Sequence, residues 1–484
     1  MNLNRLDSYV FYSLLALTLV LLCYVSLFSE VHYEGSESIF HYFHSAAIAD
    51  HPEIIVNHWG KPLFIVLSYP FTFFGVKGVF IFNSLVMILS AFFSFKIGKK
   101  LGFKFAFPLA IFVVFAPIYF RFAQSALTEP LFGLVAILSA YLFLNKKYLW
   151  SALVVSFIIF SRSEGMLFIP IYLVAFLIER KYWPILGLFF GFVVFGLIGL
   201  AVDKGFLWYY YDYPYHDSAA SIYGTGPFWN YFINQEHITG TPLSYFIAGS
   251  FFFVCIKFLL KIKTVFEHKN LVFLALILIP ACIYIFGHSY LWYAGKSASV
   301  GLHRIVGGVI PLLAIIAMYG LDSFIKLFNG FNKSSIIQVG ILSLCCFFML
   351  KHTFRNVSSV ILVQPEPKER LIIQSIDWLK NHNLEDRKMY VFQAHYLAEF
   401  GGDHFDRNNS QIVAGIDNRS HPEEELKSGD ILIWDGQNSP NEGGVFIDEL
   451  DSNENLIPLA TFNPEIAYTV LGGGYYFIKI FERK

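Results

Sequence analysis

The chain has 484 residues, of which 56% are apolar and only 15% charged, and its net charge is −1. An ordinary soluble domain carries about 25% charged residues, and a soluble globule has no means of covering this much apolar surface. A soluble enzyme, a disordered chain and a secreted disulfide scaffold all fit this composition poorly, which leaves a polytopic membrane protein.

A membrane span needs about 20 apolar residues. The hydropathy pattern predicts about eleven, near 8–29, 77–95, 105–120, 127–144, 148–163, 165–178, 184–202, 243–262, 271–288, 303–321 and 335–350. The first is too long for a signal-sequence core and no small-residue cleavage site follows it, so it reads as a retained helix. Basic clusters mark the cytoplasmic side. They are Arg5; Lys96, Lys99, Lys100 and Lys104; Lys146 and Lys147; Arg180 and Lys181; Lys261, Lys263 and Lys269; and Lys326 and Lys333. These fall in strict alternation, and eleven spans then put the tail on the opposite side.

Residues 1–351 hold 23 Lys/Arg against 15 Asp/Glu, whereas residues 352–484 hold 12 against 21. This shift sets a boundary near 352 between a transmembrane core, 1–351, and a soluble extracytoplasmic domain, 352–484. Neither part has the basic stripe that nucleic acid requires. All five cysteines lie in apolar runs and read as small core hydrophobes. In the tail, helical spacing over 371–381, strand patterns at 389–392, 431–434 and 475–481 and a short helix at 444–450 predict a small α/β fold.

Of the acids in the first 351 residues, only Asp7, Glu179, Glu267 and Asp322 fall on the cytoplasmic side, so chemistry is expected on the outer face. Two outer loops are long. The second carries the aromatic run Trp208-Tyr209-Tyr210-Tyr211-Asp212-Tyr213-Pro214-Tyr215-His216-Asp217, readable as an interfacial belt or as a sugar- or lipid-contacting platform. The first loop holds Glu34 and Glu37 just past the first span, and His58-Trp59-Gly60-Lys61-Pro62-Leu63 just before the next. A carboxylate at a half-dry interface can act as general base toward a hydroxyl, and a nearby Lys can hold a phosphate. Arg121 precedes Thr128-Glu129-Pro130, where an acid opens a helix at its favourable dipole end. Ser161-Arg162-Ser163-Glu164-Gly165 sets opposite charges between two spans. Lys296, His303 and Arg304 place cations on the outer rim, and Arg304 suits a phosphate as a permanent, bidentate donor. Each of these groups also has a purely structural reading, as a solvated loop, a helix-start acid, an ion pair or a snorkelling cation.

Taken in order and on one side, these motifs resemble the GT-C superfamily of polytopic glycosyltransferases, in particular bacterial relatives of protein O-mannosyltransferases and lipid A aminoarabinose transferases. Glu37, with Glu34 nearby, resembles the family's first-loop acid. Gly60-Lys61-Pro62-Leu63 is similar to its Lys-Pro-Pro-Leu signature, with the second Pro missing. Leu127-Thr128-Glu129-Pro130-Leu131, Arg162-Ser163-Glu164-Gly165 and His303-Arg304 with Pro311 resemble later family segments.

The resemblance implies a polytopic α-helical GT-C fold and an inverting transfer of sugar from a polyprenyl-phosphate donor to a hydroxyl of a glycan, lipid or protein. Glu37, or Glu34, would be the base. Lys61, His303, Arg304 and Lys296 would hold the donor phosphate, with Glu129, Arg162, Glu164, Arg121 and His58 in support. The family often has Asp-Glu where this chain has Ser36-Glu37, so a divalent metal at the first-loop acid would lack one carboxylate. The expected location is a bacterial inner membrane. The competing class is a lipid or solute transporter or flippase, in which buried charges would line a transit path. A third is a membrane-anchored binding protein whose tail is the working part.

Overall fold

The computed structural model describes residues 3–214, 223–260, 267–297, 299–331 and 334–484. Lys261, Lys263 and Lys333 of the basic clusters, and Tyr215, His216 and Asp217 of the aromatic run, lie outside the described residues. Six helices among the described residues are long and apolar enough to cross a membrane: Arg5–Phe28, Gly75–Leu101, Trp183–Ala201, His268–Ala294, His303–Gly330 and Ser334–Asn356. Shorter apolar helices occupy Pro62–Thr72, Tyr148–Ser161, Ser163–Ile178 and Thr241–Ile256. The protein is an integral membrane protein built from an α-helical bundle. The count of eleven uniform spans is not what the helices show. The segment expected at 105–120 is split into Leu109–Val114 and Pro117–Arg121. Pro117 lacks an N–H and drives Ala116 into an extended backbone, which ends the first piece.

Four N-terminal helices frame the rest: α1 (Leu3–Phe28), α2 (Gly35–Ala46), α3 (Pro62–Thr72) and α4 (Gly75–Leu101). Between them and the later bundle, Pro117–Gln124 and Glu129–Leu144 form a pair bent by 118° at residues 125–128. Such a break frees backbone groups that have no water to turn to, so neighbours must satisfy them. Asn83 of α4 donates to the carbonyls of Ser125 (2.7 Å) and Leu127 (2.9 Å). Ser38 of α2 accepts the Ala126 N–H at 2.7 Å. Ser26 of α1 donates to the Ala123 carbonyl at 2.9 Å. Polar side chains from three helices thus hold one sharp corner. On the same bent helix, Gly133 lets the chain carrying Arg304 approach closely, because a Cβ on Gly133 would lie 3.1 Å from the Gly308 carbonyl oxygen.

The last long helix runs on to Asn356, a little past the expected boundary. Beyond it stands a five-stranded sheet: β1 (Met389–Val391), β2 (Ile412–Ala414), β3 (Ile431–Asp435), β4 (Leu456–Phe462) and β5 (Ile478–Arg483), in the order β2-β1-β3-β5-β4. β1 is parallel to β2 and β3, and β5 is antiparallel to β3 and β4. Alternating residues of β3 serve two cores: Ile431 and Ile433 join one, Leu432 and Trp434 the other. Burial on both faces is why this strand reads as an unbroken apolar run. The helix expected over 371–381 begins earlier, at Pro367, and the short helix near 444–450 is Ile447–Asp451.

One core of this domain is completed from outside it. Ile39 of α2, fully buried, packs among Leu371, Ile372, Val391, Ile433 and Ile478. Arg121 reaches across in the other direction to Glu366 at 2.7 Å. Ile39→Ala should therefore destabilise the domain by about 2–5 kcal/mol, the usual loss for an aliphatic side chain cut from a packed core. Thermal unfolding of the full chain in detergent would show it, and an unchanged transition would mean that α2 is not docked there.

Candidate functional site

The site is assembled from five short stretches that the bent helix and α2 bring together. The turn before α2 runs through Glu34 and Gly35, both at positive φ (60° and 44°), and aims the first turn of the helix. Four successive residues of that turn then go to four different partners. Ser36 enters the C-terminal domain. Glu37 forms an ion pair with Arg304. Ser38 caps the corner at Ala126. Ile39 fills the C-terminal core. Turning about 100° per residue, a helix start can serve four directions at once.

Arg304 is almost completely buried, and its Nε and Nη1 have no hydrogen-bond partner, whereas Nη2 is on Glu37. His41, one turn along from Glu37, approaches it at 4.0 Å and stacks on Trp59. Burial pushes the His41 imidazole well below its ordinary pKa, helped by the nearby His44 and Lys61, so it is neutral at pH 7 and the ionic partner of Glu37 is Arg304.

Arg162 is the second hub. Its Nη1 lies 2.7 Å from Glu129 and its Nη2 2.9 Å from Glu164. Glu129 opens the Glu129–Leu144 helix and is buried, where the helix dipole and Arg162 together stabilise its charge. His288 stands 3.6 Å from Glu164. Lys61 precedes α3 with φ +62° directly before Pro62, a strained backbone held by its surroundings, and donates to the His58 carbonyl at 2.9 Å. Burial pushes the Lys61 ammonium down to about 8 despite the opposing pull of Glu164, and Arg162, Glu37 and Glu129 also act on it. Glu37, Glu129, Glu164, Lys61, Arg162 and Arg304 are therefore one electrostatically connected group.

The remaining expected residues lie around or outside it. Glu34 is exposed at the start of α2. Arg121 belongs to the junction with the C-terminal domain, paired with Glu366 and over the Tyr33 ring. His58 bonds the Tyr209 carbonyl at 2.7 Å and packs on the Tyr209 ring, anchoring the loop that carries the aromatic run. In that loop Trp208 and Tyr209 are buried, while Tyr210 and Tyr211 are exposed. His303 is half-buried and lies near His237 rather than the acids. Lys296 is exposed, with its ammonium 6.0 Å from the Tyr290 ring, and is not among the cations gathered with the acids. The sequence reading passed over His288, His41, Asn83 and Ser38. For the first, a His inside an apolar run was the available signal.

The residues at Glu37 do not fit a divalent cation. Its carboxylate is neutralised by a guanidinium, and the Ser36 hydroxyl accepts N–H groups from Ala394 (2.9 Å) and Asn438 (3.3 Å). The one grouping of three metal-ligand side chains among the described residues, His421, Glu423 and Glu424, is on the C-terminal domain.

No protein-family profile and no curated protein sequence matches the chain. Among solved structures, the crystal structure of ArnT from Cupriavidus metallidurans bound to undecaprenyl phosphate superimposes with a TM-score of 0.60 at 11% identity, covering 97% of each chain. The same protein in the apo state gives 0.61 at 10% identity and the same coverage. The Archaeoglobus fulgidus oligosaccharyltransferase tethered with an acceptor peptide gives 0.52 at 11% identity, over 88% of this chain and 69% of that one. This chain has the GT-C fold. The superposition on the two ArnT structures spans both the bundle and the C-terminal domain.

Within this GT-C bundle, Arg162 neutralises two acids at once. Arg162→Met should destabilise the protein by about 3–5 kcal/mol, because it strands the buried Glu129 beside Glu164. Adding Glu129→Gln to that variant should restore part of the loss. Melting curves of the two variants in detergent would reveal the difference, and equal melting would show that Arg162 is not the neutralising group.

Proposed function

We propose that this chain is an integral-membrane glycosyltransferase that moves a sugar from a polyprenyl-phosphate donor to an acceptor hydroxyl, with inversion, on the extracytoplasmic side of a bacterial inner membrane. The observation that carries the reading is Arg304. One of its nitrogens holds Glu37, and two others are buried without a partner. A buried guanidinium with unused donors is suited to a phosphate, and charge-assisted bonds there are strong. The GT-C likeness to a protein with undecaprenyl phosphate bound supports the same donor class.

In this reading the donor phosphate takes the unused edge of Arg304, and Lys61 supplies a second positive charge. Sharing Arg304 with the phosphate loosens its hold on Glu37, which then accepts the acceptor's hydroxyl proton. The oxygen attacks the anomeric carbon from the face opposite the phosphate. The new C–O bond forms as the old one to the phosphate oxygen breaks, and the electron pair leaves on polyprenyl phosphate. Positive charge develops on the sugar in this transition state, and preorganised dipoles in a dry site act most strongly there. Glu129 and Glu164, fixed by Arg162, keep the surroundings of the leaving group from being overly cationic.

A transporter would need ionic groups along its path. Here the ion pairs Asp7 with Lys99, Glu179 with His268, and Asp322 with Lys326 sit at the opposite helix ends, apart from the group around Arg162 and Arg304. The surface-chemistry reading therefore stands ahead of transport.

The reading is tested by incubating the purified protein in liposomes with a panel of polyprenyl-phosphate sugars and an envelope extract, and following released undecaprenyl phosphate by mass spectrometry. No release from any donor would overturn it. Glu37→Gln should lower kcat by about a hundredfold or more, the range for losing a general base, while undecaprenyl phosphate still binds. A further outcome follows from Lys61. Below a pKa of about 8 it is charged, and above it is neutral, so undecaprenyl phosphate binding should weaken as pH rises from 7 to 9. Lys61→Arg should flatten that dependence, as binding titrations at each pH would show.

A further inference from the structure

The C-terminal sheet has a crevice with nothing assigned to it. From β1 the chain goes to β2 on one side, then crosses to β3 on the other. At such a switch point the carboxyl ends of neighbouring parallel strands splay their following loops apart, and ligands of α/β sheets lodge there. The loops are Phe392-Gln393-Ala394 after β1 and Gly436-Gln437-Asn438 after β3. What lodges between them here is the chain's own Ser36. Its hydroxyl donates to Gln393 Oε1 at 2.7 Å and accepts from the Ala394 N–H at 2.9 Å and from Asn438 Nδ2 at 3.3 Å.

The direction of each bond is determined by the next group. Asp435, at the end of β3, is buried and can only accept while ionised. Its Oδ1 takes Gln393 Nε2 at 3.0 Å and the N–H groups of Gln437 and Asn438 at 3.0 and 2.8 Å. Gln393 must therefore present its amide NH₂ to Asp435 and its carbonyl oxygen to Ser36. Ser36 must in turn give its proton to Gln393, which leaves its lone pairs for Ala394 and Asn438. Asn438 is held from behind by its bond to the Phe392 carbonyl at 3.1 Å. Ser36, Gln393 and Asp435 are buried and these connections are made, which is the condition under which buried polar groups rigidify a structure. Ser36 is adjacent to Glu37 in the first turn of α2, so rotation of that turn is blocked at the residue beside the carboxylate.

We propose that Gln393 and Ser36 are positioning residues: the switch-point crevice of the C-terminal domain grips the first turn of α2 and thereby sets where the Glu37 carboxylate points. The soluble domain is then part of the catalytic apparatus without touching substrate. This rests on the glycosyltransferase reading for its kinetic consequence, but the grip itself has an independent readout.

The test uses the full-length protein in detergent and the variants Ser36→Ala, Gln393→Leu and the double variant. Hydrogen exchange of the backbone amides of 35–41 should speed up by roughly tenfold in each single variant. The double variant should be little faster than either, because both remove one link. With a polyprenyl-phosphate sugar as donor, kcat should fall by about tenfold or more, since misplacement of a reacting group is costly, while KM for that donor lipid stays at the native value. Unchanged exchange, or exchange effects that multiply in the double variant, would overturn the grip. Native kcat in both single variants, or a matching rise in KM, would overturn the positioning role. If the native protein transfers no sugar at all, the enzyme reading fails, and the exchange result alone decides whether the domain holds α2.

Discussion

A charge removed from water must meet its opposite, and in this protein that requirement organises the end of the bundle beside the C-terminal domain. Glu129 is buried and has Arg162; Arg162 also takes Glu164; Glu37 has Arg304. Glu129 with Arg162 and Glu37 with Arg304 join partners far apart in sequence, so each of these two pairs closes a long loop and brings a different stretch of chain to one place. Ion pairs out of water are not an efficient source of stability, because desolvation cancels most of their attraction. Their retention in an apolar bundle that could have used aliphatic side chains points to work that needs charge.

The corner at residues 125–128 makes this assembly possible. A straight helix through 117–144 would carry Glu129 along its side. The 118° bend instead makes Glu129 the first residue of a new helix, with its carboxylate at the dipole's positive end and facing Arg162. Bending a membrane helix exposes backbone groups, and Asn83, Ser38 and Ser26 exist on three other helices to satisfy them. The same Ser38 lies next to Glu37, so the device that supports the corner also fixes the candidate base.

The C-terminal domain closes this arrangement from above. Its core accepts Ile39, its switch point accepts Ser36, and its Glu366 pairs with Arg121. Ser36, beside Glu37, is the residue that makes the connection. A carboxylate at that position would face the Gln393 carbonyl oxygen, so the network as built favours a hydroxyl. The domain and the segment that opens α2 are one folded unit, although more than 300 residues separate them.

Much of this was legible in the chain itself. Apolar runs longer than any soluble protein tolerates establish a membrane bundle, short apolar or alternating runs with turn residues announce β1, β3 and β5, and an acid stranded beside an apolar run flags Glu37, Glu129 and Glu164 as special. These are local properties: they follow from the cost of exposing or burying each side chain where it stands. Strands β2 and β4 are not among the strands the pattern predicts: β2 is only three residues long, and Pro458 argues against a strand, yet β4 lies at a sheet edge with a bulge between Pro458 and Ala460, where proline is tolerated. Only the tertiary structure decided which acid meets which cation. It placed Arg304 on Glu37 and Arg162 between two acids, left Lys296 exposed, and used Gln393, an unremarked residue of the tail, to hold Ser36. Charges and hydrogen bonds act over a few ångströms in space without regard to distance along the chain, so their pairing is a property of the folded shape and not of any segment read alone.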